Sequence, residues 1–254
     1  MIDIRDFRKV YDGLLAVENL TFQVQPGEIL GLIGPNGAGK TTTMRCLCGL
    51  IAPSAGKLSV CGYEIDQSPI HAKRNLCYIP DDPPLFPELT VEQHLAFSAT
   101  VYGVRQADAK AVQLLEAFGL ANRRKTRAAE LSRGMRQKLA ISCGYLHDPK
   151  VILLDEPMTG LDPHGIRTLK ESVKQRAAQG SAVIISSHLL AMVEDICSHV
   201  LILKEGQQRF FGRIDELKKT FMKEQDSLTL EQIFFQATES EPVETRRELM
   251  NSVQ

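Results

Sequence analysis

No stretch of the chain approaches the ~20 consecutive apolar residues that a membrane-spanning helix needs, so the sequence offers no span of its own. Excess charge is missing too. Thirty Lys and Arg stand against 31 Asp and Glu, a net charge of −1. That balance argues against a protein whose main task is electrostatic grip on nucleic acid. The one basic run, Arg123-Arg124-Lys125-Thr126-Arg127, is short and has no interleaved aromatics for base stacking. It reads as a solvated face, and no nucleic-acid partner is expected. The six cysteines (Cys46, Cys48, Cys61, Cys77, Cys143 and Cys197) form no CxxC pair, and no two histidines stand near them at metal-finger spacing. They read as small, mostly buried thiols of a reducing compartment. The other histidines, His71, His94, His147, His164 and His199, lack ligand spacing and read as surface or satisfied residues. The start, Met1-Ile2-Asp3-Ile4-Arg5-Asp6, is too charged for a signal peptide, so a cytoplasmic location is expected. No internal repeat is visible, so each motif occurs once.

What is present is an ordinary globular composition: 254 residues, 43% hydrophobic and 24% charged. At about 150 residues per domain this makes one to two domains. The apolar runs Ile29-Leu30-Gly31-Leu32-Ile33, Val151-Ile152-Leu153-Leu154 and Ala182-Val183-Ile184-Ile185 suit strands buried on both faces of a parallel sheet. Helices are expected at about 40–50, 165–179 and 189–197, and a hairpin at 199–212. Residues 51–80 read as short strands. After the proline-rich loop Asp81-Asp82-Pro83-Pro84-Leu85-Phe86-Pro87, apolar residues recur at helical spacing through residues 91–146. The last forty residues are polar, with one amphipathic stretch at 228–235 and an acidic run from Thr238 to Glu244. Strands alternating with helices predict an α/β fold with a mainly parallel sheet.

Gly34-Pro35-Asn36-Gly37-Ala38-Gly39-Lys40-Thr41 fits G-x-x-x-x-G-K-[ST] without a departure. It lies between a buried strand and a helix, where the motif needs to be. Its glycines let backbone N–H groups surround phosphate oxygens, and the helix N-terminus adds partial positive charge. Lys40 reaches the β- and γ-phosphates, and the Thr41 hydroxyl, with Thr42 beside it, faces the metal and nucleotide. The buried strand at 151–154 ends in Asp155 and Glu156. Asp155 is the expected Mg²⁺ ligand, and Glu156 the general base for the attacking water.

Together these residues resemble an ATP-binding cassette (ABC) ATPase, the nucleotide-binding subunit of a transporter. Leu131-Ser132-Arg133-Gly134-Met135-Arg136-Gln137, about twenty residues ahead of Asp155, is similar to that family's signature LSGGQ. Gly160-Leu161-Asp162-Pro163 resembles its D-loop, and Ser186-Ser187-His188 its switch histidine. The resemblance covers about residues 1–215. It implies a phosphate-loop (P-loop) NTPase core with a mainly parallel sheet, an N-terminal antiparallel β part and a helical subdomain inserted at about 82–147, followed by a helical or polar tail at 216–254. It also implies that ATP is held between two subunits in a head-to-tail pair. Ser132 and the backbone at Gly134 would touch the γ-phosphate of the partner's ATP, and Asp162 would lie at the same contact. His188 would contact the γ-phosphate and hold Glu156, and Tyr11 would stack on the adenine. The implied partners are a second copy or homologous ATPase subunit and a separate transmembrane subunit docked at residues 82–90 and the following helices. That subunit would keep the chain on the cytoplasmic face of a membrane.

Three positions depart from the pattern. Asp81 stands where the family has a glutamine after Tyr78-Ile79-Pro80. A carboxylate can ligate the metal but, when ionised, cannot donate a hydrogen bond. Arg133 replaces the first glycine of the signature and Met135 its glutamine. These variants, with Ser227-Leu228-Thr229-Leu230-Glu231-Gln232-Ile233-Phe234 near the end, resemble the branch of drug-resistance exporters. Soluble ABC ATPases of translation or repair fit less well. This chain has one cassette, and no sustained heptads lie between Lys40 and Asp155. A switch without turnover is disfavoured by the presence of both Glu156 and His188, and a small GTPase by the absence of an NKxD motif.

Overall fold

The computed structural model describes residues 1–221 and 230–239. β1 (Ile2–Tyr11) and β2 (Leu14–Val24) pair antiparallel, with Ile2 opposite Val24. Their buried residues largely alternate with more exposed ones, because one face of the ribbon meets the core. β3 (Ile29–Ile33) is buried at all five positions and feeds α1 (Lys40–Leu47). β4 (Ala55–Val60) and β5 (Tyr63–Glu64) complete a four-stranded sheet in the order β2-β1-β4-β5. α2 (Pro69–Arg74) precedes β6 (Leu76–Ile79). Reading residues 51–80 as strands alone misses α2. Its six residues bury only Ala72, so no apolar period marks it, and Pro69 in its first turn is its main start signal.

α3 (Val91–Tyr102), α4 (Ala107–Ala117) and α5 (Arg133–Tyr145) follow where the sequence predicts helices. Thr90 and Gln93 close a reciprocal capping box that starts α3. These helices share an apolar cluster that includes Val91, Leu95, Leu115 and Leu139. The chain then alternates β7 (Val151–Asp155), α6 (Pro163–Ala178), β8 (Ala182–Ser186) and α7 (Leu190–Ile196). It closes with the expected hairpin β9 (His199–Lys204) and β10 (Gln207–Arg213), then α8 (Ile214–Phe221) and α9 (Leu230–Glu239). The amphipathic stretch expected at 228–235 falls largely on α9. The part of the acidic run beyond Glu239 lies outside the described residues.

The central sheet has the order β10-β9-β3-β8-β7-β6, parallel except for β10. Its strands alternate between two apolar clusters. Ile33, Ile152, Ile185 and Ile202 face Ile141, Leu169, Val193, Leu217 and Ile233 from α5 to α9. Their neighbours Leu32, Leu153, Ile184 and Leu201 face Phe7, Leu20, Met44 and Leu47, from the antiparallel ribbon and α1. Both faces are covered, which is why β3, β7 and β8 read as unbroken apolar runs.

The ends of α3 and α5 are joined by the Tyr102 and His147 rings, 3.7 Å apart at their centroids and 5° from parallel. Burial pushes the His147 imidazole down from 6.5 to about 4. The unfolded chain therefore takes up this proton at higher pH than the folded one. The stabilising contribution is complete above about 6.5 and is lost as pH falls towards and through about 4. We expect His147→Phe to melt with a shallower acid-side decline than the wild type between these values; parallel declines would assign the acid sensitivity to other groups.

Candidate functional site

The parallel strands end side by side. Leu32 pairs with Ser186, Ser186 with Asp155, and Leu154 with Ile79. The segments beginning at Gly34, His188, Glu156 and Asp81 therefore all leave from one edge of the sheet, the crevice where open α/β sheets bind ligands.

The glycine-rich loop comes from β3. Gly39, the residue before α1, has φ 101°, and a Cβ there would stand 2.7 Å from the Ala16 carbonyl oxygen. Both facts require glycine. The loop is braced by Gly206 in the β9–β10 turn, whose N–H donates to the Ala38 carbonyl at 3.2 Å. Lys40 is buried, and its Nζ donates to the carbonyls of Gly34 (2.6 Å) and Pro35 (3.2 Å). Burial lowers its pKa, against the opposing pull of the Glu156 and Asp155 charges. Thr41 and Thr42 lie in the first turn of α1, where no side chain caps the helix. The free N–H groups there suit an anion.

The carboxylates come from β7. Asp155 is 3% exposed and accepts from the Ser186 hydroxyl and from Tyr78 Oη (3.4 Å). Burial, then the Asp155 charge, pushes the Tyr78 phenol well up. Glu156 has φ 47°, left-handed backbone that costs a non-glycine residue of order 1–3 kcal/mol. Its N–H donates to the Ser186 carbonyl (3.2 Å) and hydroxyl (3.1 Å). Its Oε2 lies 2.8 Å from His188 Nδ1. With the carboxylate ionised, Nδ1 must carry the proton and donate. Ser186 and Tyr78 are site residues that the motif reading does not assign. Their signal in the sequence is a hydroxyl at or near the C-terminal end of an otherwise apolar strand.

Ser132 caps α5 and accepts from Met135 N–H at 3.3 Å, with Gly134 buried beside it. Asp162 caps α6, accepting from Gly165 N–H (3.0 Å) and Lys138 Nζ (2.9 Å). Hydrogen bonding to Lys138, and next to Gly165, holds its carboxyl below the usual range. Tyr11 ends β1, half-buried, with Lys9 Nζ 4.7 Å from its ring centroid. Asp81 puts its carboxylate on Arg133 Nη2 at 3.0 Å, so a cation at Asp81 would share it with a guanidinium. Among the described residues no three acidic, His or Cys side chains converge on one point. The cation position that fits is Asp155, a buried carboxylate whose hydrogen-bond partners are two hydroxyls, with Thr41 in the first turn of the adjacent α1.

A mainly parallel sheet with this phosphate loop on one strand and paired carboxylates on another defines a P-loop nucleoside-triphosphatase fold. Residues 17–159 match the family model described as ABC transporter. The chain is 36% identical over 209 residues to Nod factor export ATP-binding protein I of Burkholderia pseudomallei (strain 1710b), covering 82% of this chain and 69% of that one. It is 35% identical over 223 residues to ABC-type transporter ATP-binding protein EcsA of Bacillus subtilis (strain 168), covering 87% and 90%. A solved structure described as the ATP binding subunit of an ABC transporter superposes with a TM-score of 0.89 at 34% identity, over 93% of this chain and 99% of that one. The chain belongs to the ABC transporter family and is an ATPase of that family.

We expect Ser186→Ala to lower stability by about 1–3 kcal/mol in denaturant unfolding, because it removes a donor from buried Asp155. An unchanged midpoint would mean another group takes over the contact.

Proposed function

We propose that the chain is the ATP-hydrolysing subunit of an export-type transporter, and that two copies, or one copy and a homologous subunit, close head to tail on two ATP molecules. The observation that carries this reading is the gathering of Lys40, Asp155, Glu156 and His188 at one sheet edge, with the His188–Glu156 contact at 2.8 Å. The names of the relatives support export and transport.

In this reading the loop from Gly34 to Thr42 wraps the phosphates, and Lys40 exchanges its carbonyl partners for β- and γ-phosphate oxygens. Thr41 and Asp155 would hold Mg²⁺, which when bound would supply positive charge to offset that of the phosphates. Glu156 Oε2 accepts a proton from the attacking water, and His188 keeps that oxygen in place. Tyr11 stacks on the base with the ring face away from Lys9. Ser132 is exposed at the N-terminus of α5. It and the Gly134 backbone serve the ATP of the second subunit, with Asp162 at the same contact. Closure on ATP and reopening after hydrolysis make a two-state element that moves a docked partner.

That partner is a separate membrane subunit, as the transport named for the relatives supports; no described helix of this chain is long and apolar enough to cross a membrane. The docking surface is the loop after β6 and the outer side of α3. Exposed Phe86 and Phe97 meet edge to face at 5.3 Å. Val101 and Tyr102 line a neighbouring cleft of about 660 Å³ with Arg74 and His147. His94 stiffens the loop, accepting from Phe86 N–H at 3.1 Å while Nδ1 meets the Thr90 carbonyl at 2.9 Å.

Glu156→Gln is expected to bind ATP, run as a dimer in its presence and lose about 10²- to 10⁴-fold in turnover; an undiminished rate removes Glu156 as the base. Lys40→Ala is expected to weaken ATP binding about ten- to a hundredfold, as loss of a charged hydrogen bond should. Unchanged affinity in a calorimetric titration would remove the phosphate-loop assignment.

A further inference from the structure

Two of the departures from the family pattern meet. Asp81 and Arg133, 52 residues apart in sequence, form an ion pair of 3.0 Å between the loop after β6 and the first residue of α5. The rest of Arg133 is seated as well. A Cβ at Gly160 would stand 3.2 Å from its Cγ and Cδ, so the arginine stem lies over the loop after β7. The next residue has no room at all: a Cβ at Gly134 would be 2.3 Å from the Gly160 carbonyl oxygen. Further along α5, Lys138 holds Asp162. The start of α5 is thus fastened to two loops. One leaves β7 at the buried Asp155. The other leaves β6, where Tyr78 donates to that same Asp155.

We propose that the Asp81–Arg133 pair is a strut between the sheet edge and the signature helix, and that Arg133 is a positioning residue for hydrolysis. It sets how Ser132 and Gly134 are presented to the nucleotide of the second subunit, and so rests on the head-to-tail reading above. Apart from this pair and the Lys138–Asp162 pair further along, helix α5 is held mostly by apolar packing on α3, α4 and β6, which is weakly directional. A charged, hydrogen-bonded contact at its first turn fixes direction. Both side chains are about half exposed, so the contact is modest and breakable.

The test is a double-mutant cycle on the full chain with Asp81→Asn, Arg133→Gln and the two combined, reading steady-state ATP hydrolysis. Each single change is expected to lower kcat about two- to fivefold, with KM for ATP unchanged because the phosphate loop is untouched. The combined variant should be no slower than the slower single, since both break one contact. Raising ionic strength should narrow the gap between wild type and combined variant. Multiplying effects, an unchanged kcat in the singles, or a shifted Mg²⁺ half-saturation in Asp81→Asn would overturn the strut; the last would make Asp81 a metal ligand. The same cycle run on melting of the nucleotide-free chain separates folding from positioning. Coupling there with none in kcat also overturns the proposal. If the wild type and every variant alike hydrolyse nothing, two copies of this chain do not form the hydrolytic pair proposed above, and the strut, which rests on that pair, fails with it.

Discussion

The Ser186 hydroxyl ties two strand ends into one site. It donates to the buried carboxylate of Asp155 and accepts from the N–H of Glu156. A buried carboxylate without donors carries a heavy desolvation cost, and a glutamate at φ 47° is held away from relaxed backbone. One oxygen offsets the first and restrains the second. It can do so because β8 lies between β3 and β7, which puts Ser186 beside both the phosphate-loop strand and the carboxylate strand. The order of the strands, more than the identity of any loop, brings the chemistry to one edge.

Much of this was legible in the chain itself. The unbroken apolar runs at 29–33, 151–154 and 182–185 are the signature of strands covered on both faces, and all three are central strands. The G-x-x-x-x-G-K-T spacing places the loop without any structure, because that spacing lets the backbone wrap a phosphate and then starts a helix. Other features were beyond sequence reasoning for definite reasons. α2 is too short to show a period. Ser186 and Tyr78 matter through cross-strand neighbours, and parallel pairing joins residues that no local pattern links. Asp81 and Arg133 were each visible as oddities. That they face one another depends on how a helical layer folds back on a sheet.

The segment carrying His188 is held from behind. α7 follows it directly, and its Asp195 pairs with Lys170 and Lys174 on α6, while Glu194 pairs with Lys218 on α8. Each exposed pair contributes little alone. Together with the apolar contacts of Val193, Leu217 and Ile233, they give the His188 segment a firm base. The helices after the hairpin thus bear on the histidine that touches Glu156.

Lys40 carries a last consequence. Its ammonium is not left to water; two carbonyls of its own loop hold it. The loop is therefore a closed fist rather than an open palm. An incoming anion must displace those carbonyls before it gains the lysine.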